Sequence, residues 1–277
     1  MTQEAMTEDL KNAVSVWTII DRITNSPFID DGNRVWIFTE KEYAERCLDY
    51  FMQQYRTSFE TKEIDKEQRI RFFGITTHMA GAEEYSVDPG NEGNMIVKGS
   101  DIVPPVDMSD TPMINRPVMN PRLFRAVAKL QQERMYRANY EGKKEKLRAF
   151  EDEMIRSFAE AMFLVPVKGM ETLKKNFEST DGSGEGVLTA GTQISIPALS
   201  GGDDGSSKAT PVFTDWIEFN KAYSQEEWGG WIWTPRDLLS APDDPVVLNV
   251  GSLAFGMSKK MIGQMLDIYE KEFANKE

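Results

Sequence analysis

The chain contains 277 residues, of which 40% are hydrophobic, and it carries a formal net charge of −13. A chain of this length and composition can form one large domain or two small ones. Its negative charge repels phosphate backbones, so we expect no nucleic-acid partner. No apolar run is as long as a membrane span, which needs about 18 residues, so we expect no membrane association either.

The N-terminus and the cysteine content are typical of a cytoplasmic protein. The first ten residues are polar and acidic, without the basic and apolar regions of a signal peptide. Cys47 is the single cysteine in the sequence, so an internal disulfide is excluded. Because disulfides are rare in reducing compartments, a cytoplasmic location is expected.

Residues 1–105 predict a first small α+β domain. In chain order, apolar spacing and turn residues indicate a helix over residues 10–23, a strand over 34–38, a helix to about residue 55, a strand over 57–64, a helix over 65–79 and a strand over 84–87. The first helix is predicted from one apolar stripe, formed by Leu10, Val14, Trp17 and Ile20. The second begins at Thr39-Glu40-Lys41-Glu42, which has the form of a capping box.

Residues 106–159 predict a linker followed by a helical segment. The stretch over residues 91–115 is rich in Pro, Gly, Asp and Met and has no clear period, although residues 95–98 are compatible with a short strand. Asn120-Pro121 is a helix start, because Asn caps helices and Pro suits their first position. Two helices are predicted, to about residue 136 and over residues 144–161. This segment holds 11 basic and 8 acidic residues, a balance of +3 between two flanks of −8 each.

Residues 160–277 predict a second α+β domain. Strands are indicated over residues 162–167, 187–199, 209–213, 230–233 and 245–249, with short helices at 215–223 and after 234 and a final helix capped by Ser258. The expected fold is therefore α+β, with two small mixed-sheet domains, residues 1–105 and 160–277, joined by the helical segment of residues 106–159.

Two signatures of the first half recur in the second half. I-F-T-E at 37–40 is matched by V-F-T-D at 212–215, each at the end of a strand that leads into a helix. E-E-Y-S-V-D-P-G at 83–90 is matched by D-D-P-V-V-L-N-V-G at 243–251. An internal duplication explains both matches. The alternative is that joints between strands and helices favour such residues in any protein.

Four short segments of the second half carry a family signature. They are F-L-V-P-V at 163–167, I-S-I-P-A-L at 194–199, P-V-F-T-D-W-I-E-F at 211–219 and V-V-L-N-V-G at 246–251. In this order they resemble the SseB N-terminal domain family of bacteria over about residues 160–257, and W-I-F-T-E-K-E-Y at 36–43 resembles a second, diverged copy. Members usually have Asn-Pro after the last strand, where this chain has Asn249-Val250. The resemblance implies the fold and a cytoplasmic location, and it supplies no reaction and no catalytic residues.

Three candidate reactive or metal sites are weak on chemical grounds. His78 is the single histidine, so a zinc site or a Ser-His-Asp triad lacks its other parts. Cys47 is expected to face inward on its helix, as an inert buried thiol. The loop at 181–192 begins with the oxygen spacing of a calcium loop but has Thr192 where the bidentate Glu is required, so a solvated loop is expected. No metal and no cofactor is predicted.

The tryptophans of the second half are the most informative local feature. Four of the six tryptophans in the chain lie within 18 residues of one another: Trp216, Trp228, Trp231 and Trp233. One interpretation places one or two of them in the core of the domain. The other is a partly exposed aromatic surface for a protein partner, because tryptophan is enriched at binding hot spots. The neighbouring pairs Glu226-Glu227 and Gly229-Gly230 favour partial exposure of this segment.

Two functions are consistent with these observations. The first is a non-catalytic interaction or regulatory module of the SseB type, with a protein partner or self-association through the tryptophans. The second is a metal-assisted hydrolase that uses carboxylates of the second domain, namely Asp215, Glu218, Asp243 and Asp244. The two are distinguished by a pocket that gathers several perturbed carboxylates, which only the hydrolase requires.

Overall fold

The chain folds into two compact units. In the computed structural model, the described residues are 2–54, 56–105, 107–111, 116–169, 177–179, 186–188, 194–201 and 207–274. The first unit comprises Met1–Val106 and Asn120–Ser157, and the second comprises Asp107–Met119 and Phe158–Glu277. Helices and mixed sheets occur in both, which confirms the predicted α+β class. Within the described ranges, no helix is both long enough and apolar enough to cross a membrane.

Among its described residues, the first unit combines a six-stranded sheet with six helices. Its elements are α1 (Gln3–Asn12), β1 (Ser15–Asp21), β2 (Ser26–Pro27), β3 (Arg34–Phe38), α2 (Lys41–Gln53), β4 (Phe59–Asp65), α3 (Lys66–His78), β5 (Glu84–Val87), β6 (Met95–Lys98), α4 (Gly99–Ile102), α5 (Pro121–Met135) and α6 (Lys143–Ala159), the last of which ends in the second unit. The main strand order is β4-β1-β3-β5-β6, with the short β2 also paired to β1. β3 and β5 are parallel, and the other neighbours are antiparallel.

The predicted helix over residues 10–23 is wrong. α1 ends at Asn12, and the residues that follow form β1. β1 pairs with β4 along its whole length and with β3 at Trp17 and Thr18, so its backbone groups are bonded on both edges. Side chains on both of its faces are buried. A strand that is buried on both faces loses its period of two, and periodicity alone then fails to separate it from a helix.

An aromatic cluster fills the core of the first unit between its sheet and α2. Its buried members are Ile19, Phe28, Phe38, Ala44, Phe51 and Phe59. Phe51 makes edge-to-face contacts with Phe28 and with Phe59, each at a centroid distance of 5.0 Å. This geometry is the favoured one for aromatic pairs and adds to the stabilisation from apolar burial.

The second unit combines several described strands with two helices, one short and one long. Its elements are β7 (Phe163–Val167), β8 (Phe177–Ser179), β9 (Gly186–Leu188), β10 (Leu199–Gly201), β11 (Ser207–Val212), α7 (Trp216–Asn220), β12 (Gly229–Trp233), a 3₁₀ turn (Asp237–Ser240), β13 (Val246–Leu248), β14 (Phe255–Met257) and α8 (Lys259–Glu272). β11 is parallel to β13, and β13 is antiparallel to β14. β7 is antiparallel to β12 and is bridged to the end of β11 by Leu164 and Phe213.

The two units share one strand order. In the second unit the path β12-β7-β11-β13-β14 repeats the path β4-β1-β3-β5-β6, including the parallel pair and its position. The chain also visits the five strands in the same sequence, and a helix follows the second strand in each unit. The register agrees as well, because Phe38 pairs with Trp17 and Phe213 with Leu164.

Candidate functional site

The four tryptophans of the second unit lie on two faces of the β7–β12 ribbon. Trp216 packs against the face that carries Gly230, since a β-carbon added to Gly230 would lie 2.6 Å from the Trp216 ring. Trp231 and Trp233 lie on the other face of the strand, because successive side chains of a strand alternate. The structure therefore brings the predicted residues together as two pairs instead of one continuous surface.

Trp216 and Trp228 are partly buried against the core of the second unit. That core contains Val118, Leu164, Phe213 and Phe219. Trp216 contacts Phe219 at a centroid distance of 4.9 Å, and Trp228 contacts Tyr223 at 5.2 Å. The ammonium group of Lys168 lies 4.6 Å from the Trp228 ring centroid, a cation–π arrangement. These two side chains thus pack against the core, and part of their surface stays exposed to solvent.

Trp231 and Trp233 form the second pair. Their rings meet edge to face at a centroid distance of 5.8 Å. Trp233 is 8% exposed, whereas Trp231 is partly exposed. The most exposed side chain of β12 is Ile232, at 44%, a residue that the sequence interpretation did not single out. The position of Ile232 between two tryptophans was the sequence feature that could have indicated it.

β12 lies at the end of its sheet path, and β7 is its one strand partner within the described residues. The sequence of β12, G-G-W-I-W, contains no charged residue and no proline. An edge strand offers unpaired backbone N–H and C=O groups to another chain, and charges or proline usually protect it. Within the described ranges, β12 therefore combines an outer edge that has no strand partner with partly exposed aromatic and aliphatic side chains.

The four carboxylates of the hydrolase hypothesis lie at opposite ends of the β11–β13 pair. Asp215 and Glu218 follow the carboxyl end of β11, where Asp215 caps α7 through the backbone N–H groups of Ile217 and Glu218. Asp243 and Asp244 precede β13, and the Asp243 backbone N–H donates to the Thr210 hydroxyl. The structure thus separates the two pairs, each of which has a local structural role.

Glu218 is a buried carboxylate with two partners of its own. It accepts from Lys221 Nζ at 2.5 Å and from the Ser252 hydroxyl at 2.5 Å. Burial raises the pKa of the Glu218 carboxyl, against the attraction of Lys221 and these hydrogen bonds. Because its oxygens are occupied inside the protein, Glu218 stabilises the junction between α7 and the loop after β13.

A second feature that sequence reasoning missed is a hydrogen-bonded joint at the ends of the parallel strands. In the second unit, Asn249 Oδ1 accepts from the Thr214 backbone N–H at 3.0 Å, and its Nδ2 donates to the Thr214 hydroxyl at 2.9 Å. In the first unit, Asp88 accepts from both the backbone N–H and the hydroxyl of Thr39, at 2.8 and 2.7 Å. Asp88 and Asn249 both have positive φ, 48° and 51°, which Asp and Asn tolerate better than most residues.

This joint shows that the capping box predicted at Thr39 is wrong. The Thr39 hydroxyl donates to Asp88, and the N-cap residue of α2 is Glu40, which makes no side-chain cap hydrogen bond. In contrast, the predicted cap by Ser258 is confirmed, since Ser258 accepts from the Met261 backbone N–H. The helix start at Asn120-Pro121 is confirmed in position, since Pro121 opens α5, although Asn120 occupies the N-cap position without a side-chain cap hydrogen bond. Caps that depend on a few neighbouring residues were thus predictable, and the long-range bond to Asp88 was not.

The remaining candidate residues do not converge on a site. Among the described residues, no group of three or more His, Cys, Asp and Glu side chains is arranged to hold a metal ion. Burial raises the pKa of the Cys47 thiol to about 12, so the thiol stays protonated and unreactive at neutral pH. His78 is the last residue of α3. The loop at 181–192 lies largely outside the described residues.

The strand order and the tryptophan-bearing ribbon together define a small α+β domain of mixed sheet. Residues 143–263 match the family model of the SseB protein N-terminal domain. This match confirms the resemblance seen in the apolar segments of the second half, and an SseB N-terminal domain is therefore present in this chain. No curated protein matches the chain.

Proposed function

We propose that the chain is a non-catalytic, cytoplasmic interaction module of the SseB type, which binds a protein partner through the open edge of β12. The observation that carries this proposal is the contrast between β12 and its counterpart in the first unit, β4. Each pairs with one strand among the described residues and occupies the same end of its sheet. β4 reads F-E-T-K-E-I-D and carries four charged residues, whereas β12 carries none.

The register makes this contrast specific at one position. Trp17 and Leu164 are equivalent, because each pairs with the phenylalanine at the end of the next strand. Trp17 also pairs with Glu63, and Leu164 pairs with Ile232. Glu63 and Ile232 therefore occupy equivalent edge positions. A charge protects this position in β4, while β12 presents an exposed isoleucine.

The partner is an extended apolar segment that adds to β12 as a further strand. In this binding mode, backbone hydrogen bonds supply affinity and alternate side chains supply specificity. Ile232 and Trp231 are the contacts on the two faces. Glu226 and Glu227 are exposed just before β12, and residues 160–277 have 10 basic against 18 acidic residues. Basic residues at the ends of the partner segment complement this charge.

The shared strand order also supports the proposal that the two halves arose by duplication. In that case one copy retains a protected edge and the other has an edge free for binding. The bridging residues Asp88 and Asn249, which occupy the same place in each unit, are consistent with this origin.

A peptide-display selection on the full-length chain tests the proposed function. We expect the selected peptides to be extended, with alternating apolar residues and basic ends, and to slow hydrogen exchange of the β12 amides. The substitutions Ile232→Glu, which copies β4, and Ile232→Lys, which adds the opposite charge, should each weaken binding by about 2 kcal/mol or more, as expected for a hot spot.

The matched control is Leu239→Glu, which adds the same charge at a residue that is 38% exposed in the 3₁₀ turn and outside β12. It should leave binding unchanged. Sedimentation of the unliganded chain distinguishes the case in which the partner is a second copy, because the dimer should then dissociate on Ile232→Glu. Binding that survives both substitutions at Ile232 would show that the β12 edge is not the interaction surface.

A further inference from the structure

The first unit contains a cleft whose lining is unusual for so acidic a protein. The cleft has a volume of about 310 Å³, at the lower end of the range of about 300–1,000 Å³ that is typical of ligand pockets. It lies between the segment 28–36 and the helices α5 and α6, with Arg56 also contributing. All of its lining residues belong to the first unit.

Positive charge exceeds negative charge in this lining. Four basic residues line the cleft: Arg34, Arg56, Lys129 and Lys146. Three carboxylates line it: Asp30, Asp31 and Glu133. The balance is therefore +1 at neutral pH, in a chain whose net charge is −13.

Each of the three carboxylates is already bound to a basic residue of the lining. Asp30 accepts from Arg34 Nε at 2.8 Å, and Asp31 is paired with Lys146 at 2.8 Å. Glu133, whose side chain is 3% exposed, is paired with Arg56 at 3.2 Å and with Lys146 at 3.3 Å. Lys129 is thus the lining cation that is not paired with any of these three carboxylates, and we assign the excess positive charge to it.

Lys129 is a buried ammonium group with spare hydrogen-bonding capacity. It is 4% exposed, and the hydrogen bond that it donates within the described residues goes to the neutral Asn33 Oδ1 at 2.7 Å. The nearest carboxylate oxygen, on Glu153, is 3.9 Å away, and Glu153 also serves Arg125 at 3.2 Å. An ammonium group has three N–H donors, so a second acceptor is accommodated. Burial lowers the pKa of Lys129, against the attraction of Glu153.

Three of the five remaining lining residues are aromatic. Phe28, Trp36 and Phe150 line the cleft, with Phe28 and Trp36 in edge-to-face contact at 5.1 Å. The Trp36 indole N–H donates to Asp30 Oδ2 at 3.0 Å, which holds the ring in place. Lys129 Nζ lies 4.7 Å from the Phe150 ring centroid, so the charge and the aromatic wall are adjacent.

We propose that this cleft binds a small organic carboxylate, whose charged group meets Lys129 and whose aromatic or branched body packs against Trp36 and Phe150. A carboxylate supplies the single negative charge that the lining lacks and accepts the free ammonium N–H groups. An apolar body fits the aromatic walls and displaces their water. This site is independent of the β12 edge, which belongs to the other unit.

Benzoate is the probe, with benzamide as its neutral isostere and inorganic phosphate as an anion without an apolar body. The readout is the side-chain indole N–H signal of Trp36 in a nitrogen-correlated NMR spectrum of the full chain, assigned with the Trp36→Phe variant. We expect saturable shifts with benzoate. Benzamide should bind at least about tenfold more weakly because it lacks the charge-assisted hydrogen bond. Phosphate should bind at least about tenfold more weakly because it has no ring to bury.

Lys129→Met keeps the apolar stem and removes the charge, and it should weaken benzoate binding at least about tenfold. Lys41→Met is the matched control, because Lys41 pairs with Glu45 outside the cleft, and it should leave the affinity unchanged. Equal binding of benzamide and benzoate, tighter binding of phosphate, or unchanged affinity in Lys129→Met would each overturn the proposal. The comparison of the three probes uses the wild-type chain, so it decides the matter even if Lys129→Met folds poorly.

Discussion

β4 and β12 occupy the same place in two sheets of the same strand order, but their outer edges differ in chemistry. β4 carries four charged residues among its seven, and β12 consists of glycine, tryptophan and isoleucine. Since both strands fold within the same arrangement, neither edge chemistry is required by the fold. The difference is consistent with the proposed binding role of β12, for which the exposed Ile232 is the central residue.

The joints at the ends of the parallel strands give a second comparison. Asp88 accepts two hydrogen bonds from Thr39, whereas Asn249 accepts one bond from Thr214 and donates the other. The reason lies in the next residue, because the Thr214 hydroxyl gives its hydrogen to Asp215 Oδ2 at 2.7 Å. An amide donor is then required opposite it. The same architecture thus uses a carboxylate in one unit and an amide in the other.

The largest expected effect comes from exchanging these two side chains. Asn249→Asp places a second carboxylate beside Asp215 in a site where both residues are at most 1% exposed, and it removes the donor to Thr214. We expect the second unit to lose about 3 kcal/mol or more, the cost of an uncompensated buried charge. Urea unfolding followed by tryptophan fluorescence measures this loss.

The reciprocal change is the control for that experiment. Asp88→Asn should cost no more than about 1 kcal/mol, because an amide at this position still accepts from the Thr39 backbone and then donates to its hydroxyl. Equal losses in the two variants would mean that the direction of the hydrogen bonds does not matter, and the proposed equivalence of the joints would then fail.

A smaller effect is expected from exchanging the edge residues. Glu63→Ile gives β4 the side chain of β12 at the equivalent position, and it should increase self-association of the chain measured by sedimentation. Its effect on the free energy of unfolding should stay within about 0.5 kcal/mol, since Glu63 is exposed. Lys98→Ile adds an isoleucine at an exposed residue of β6, at the opposite end of the same sheet. If Glu63→Ile and Lys98→Ile increase self-association equally, the added hydrophobicity explains the increase, and the position at the edge of β4 has no specific effect.

The smallest effects concern two buried charges whose pH dependences have opposite signs. Burial lowers the pKa of Lys129 from its ordinary value of 10.5, so the unfolded chain binds more protons between the two pKa values. Stability should therefore rise with pH from the folded pKa up to 10.5. Glu153, Asp30 and Asp31 oppose this lowering of the pKa, whereas Arg125 adds to it. Lys129→Met should remove the rise, measured by urea unfolding across this range.

Glu218 shows the opposite dependence. Burial raises the pKa of its carboxyl above the ordinary 4.5, so the folded chain binds the extra proton. Its contribution to stability is then fully present below pH 4.5 and is lost as the pH rises through the folded pKa. Glu218→Gln should flatten this part of the stability curve, while Glu227→Gln, at an exposed residue, should not. A steeper curve in Glu218→Gln would contradict this assignment.

The sequence by itself determined the features that depend on a few neighbouring residues. The strands at 34–38 and 84–87, the start of α5 at Asn120-Pro121 and the cap at Ser258 were predictable, because alternation and capping act over one turn or a few positions. The α+β class followed from the same local patterns. The SseB segment was found through the resemblance of four short segments to that family.

The tertiary structure alone decided the features that depend on distant residues. β1 became a strand because β3 and β4 bond to its two edges, against its helical apolar spacing. Lys129 lies in the cleft and donates a hydrogen bond to Asn33, 96 positions away in the sequence. Thr39 donates to Asp88, 49 positions away. Which edge of β12 lacks a strand partner, among the residues that the structure describes, likewise depends on its pairing with β7. Such contacts leave no local period in the sequence, since their energy arises only when the chain folds and distant groups share one low-dielectric interior.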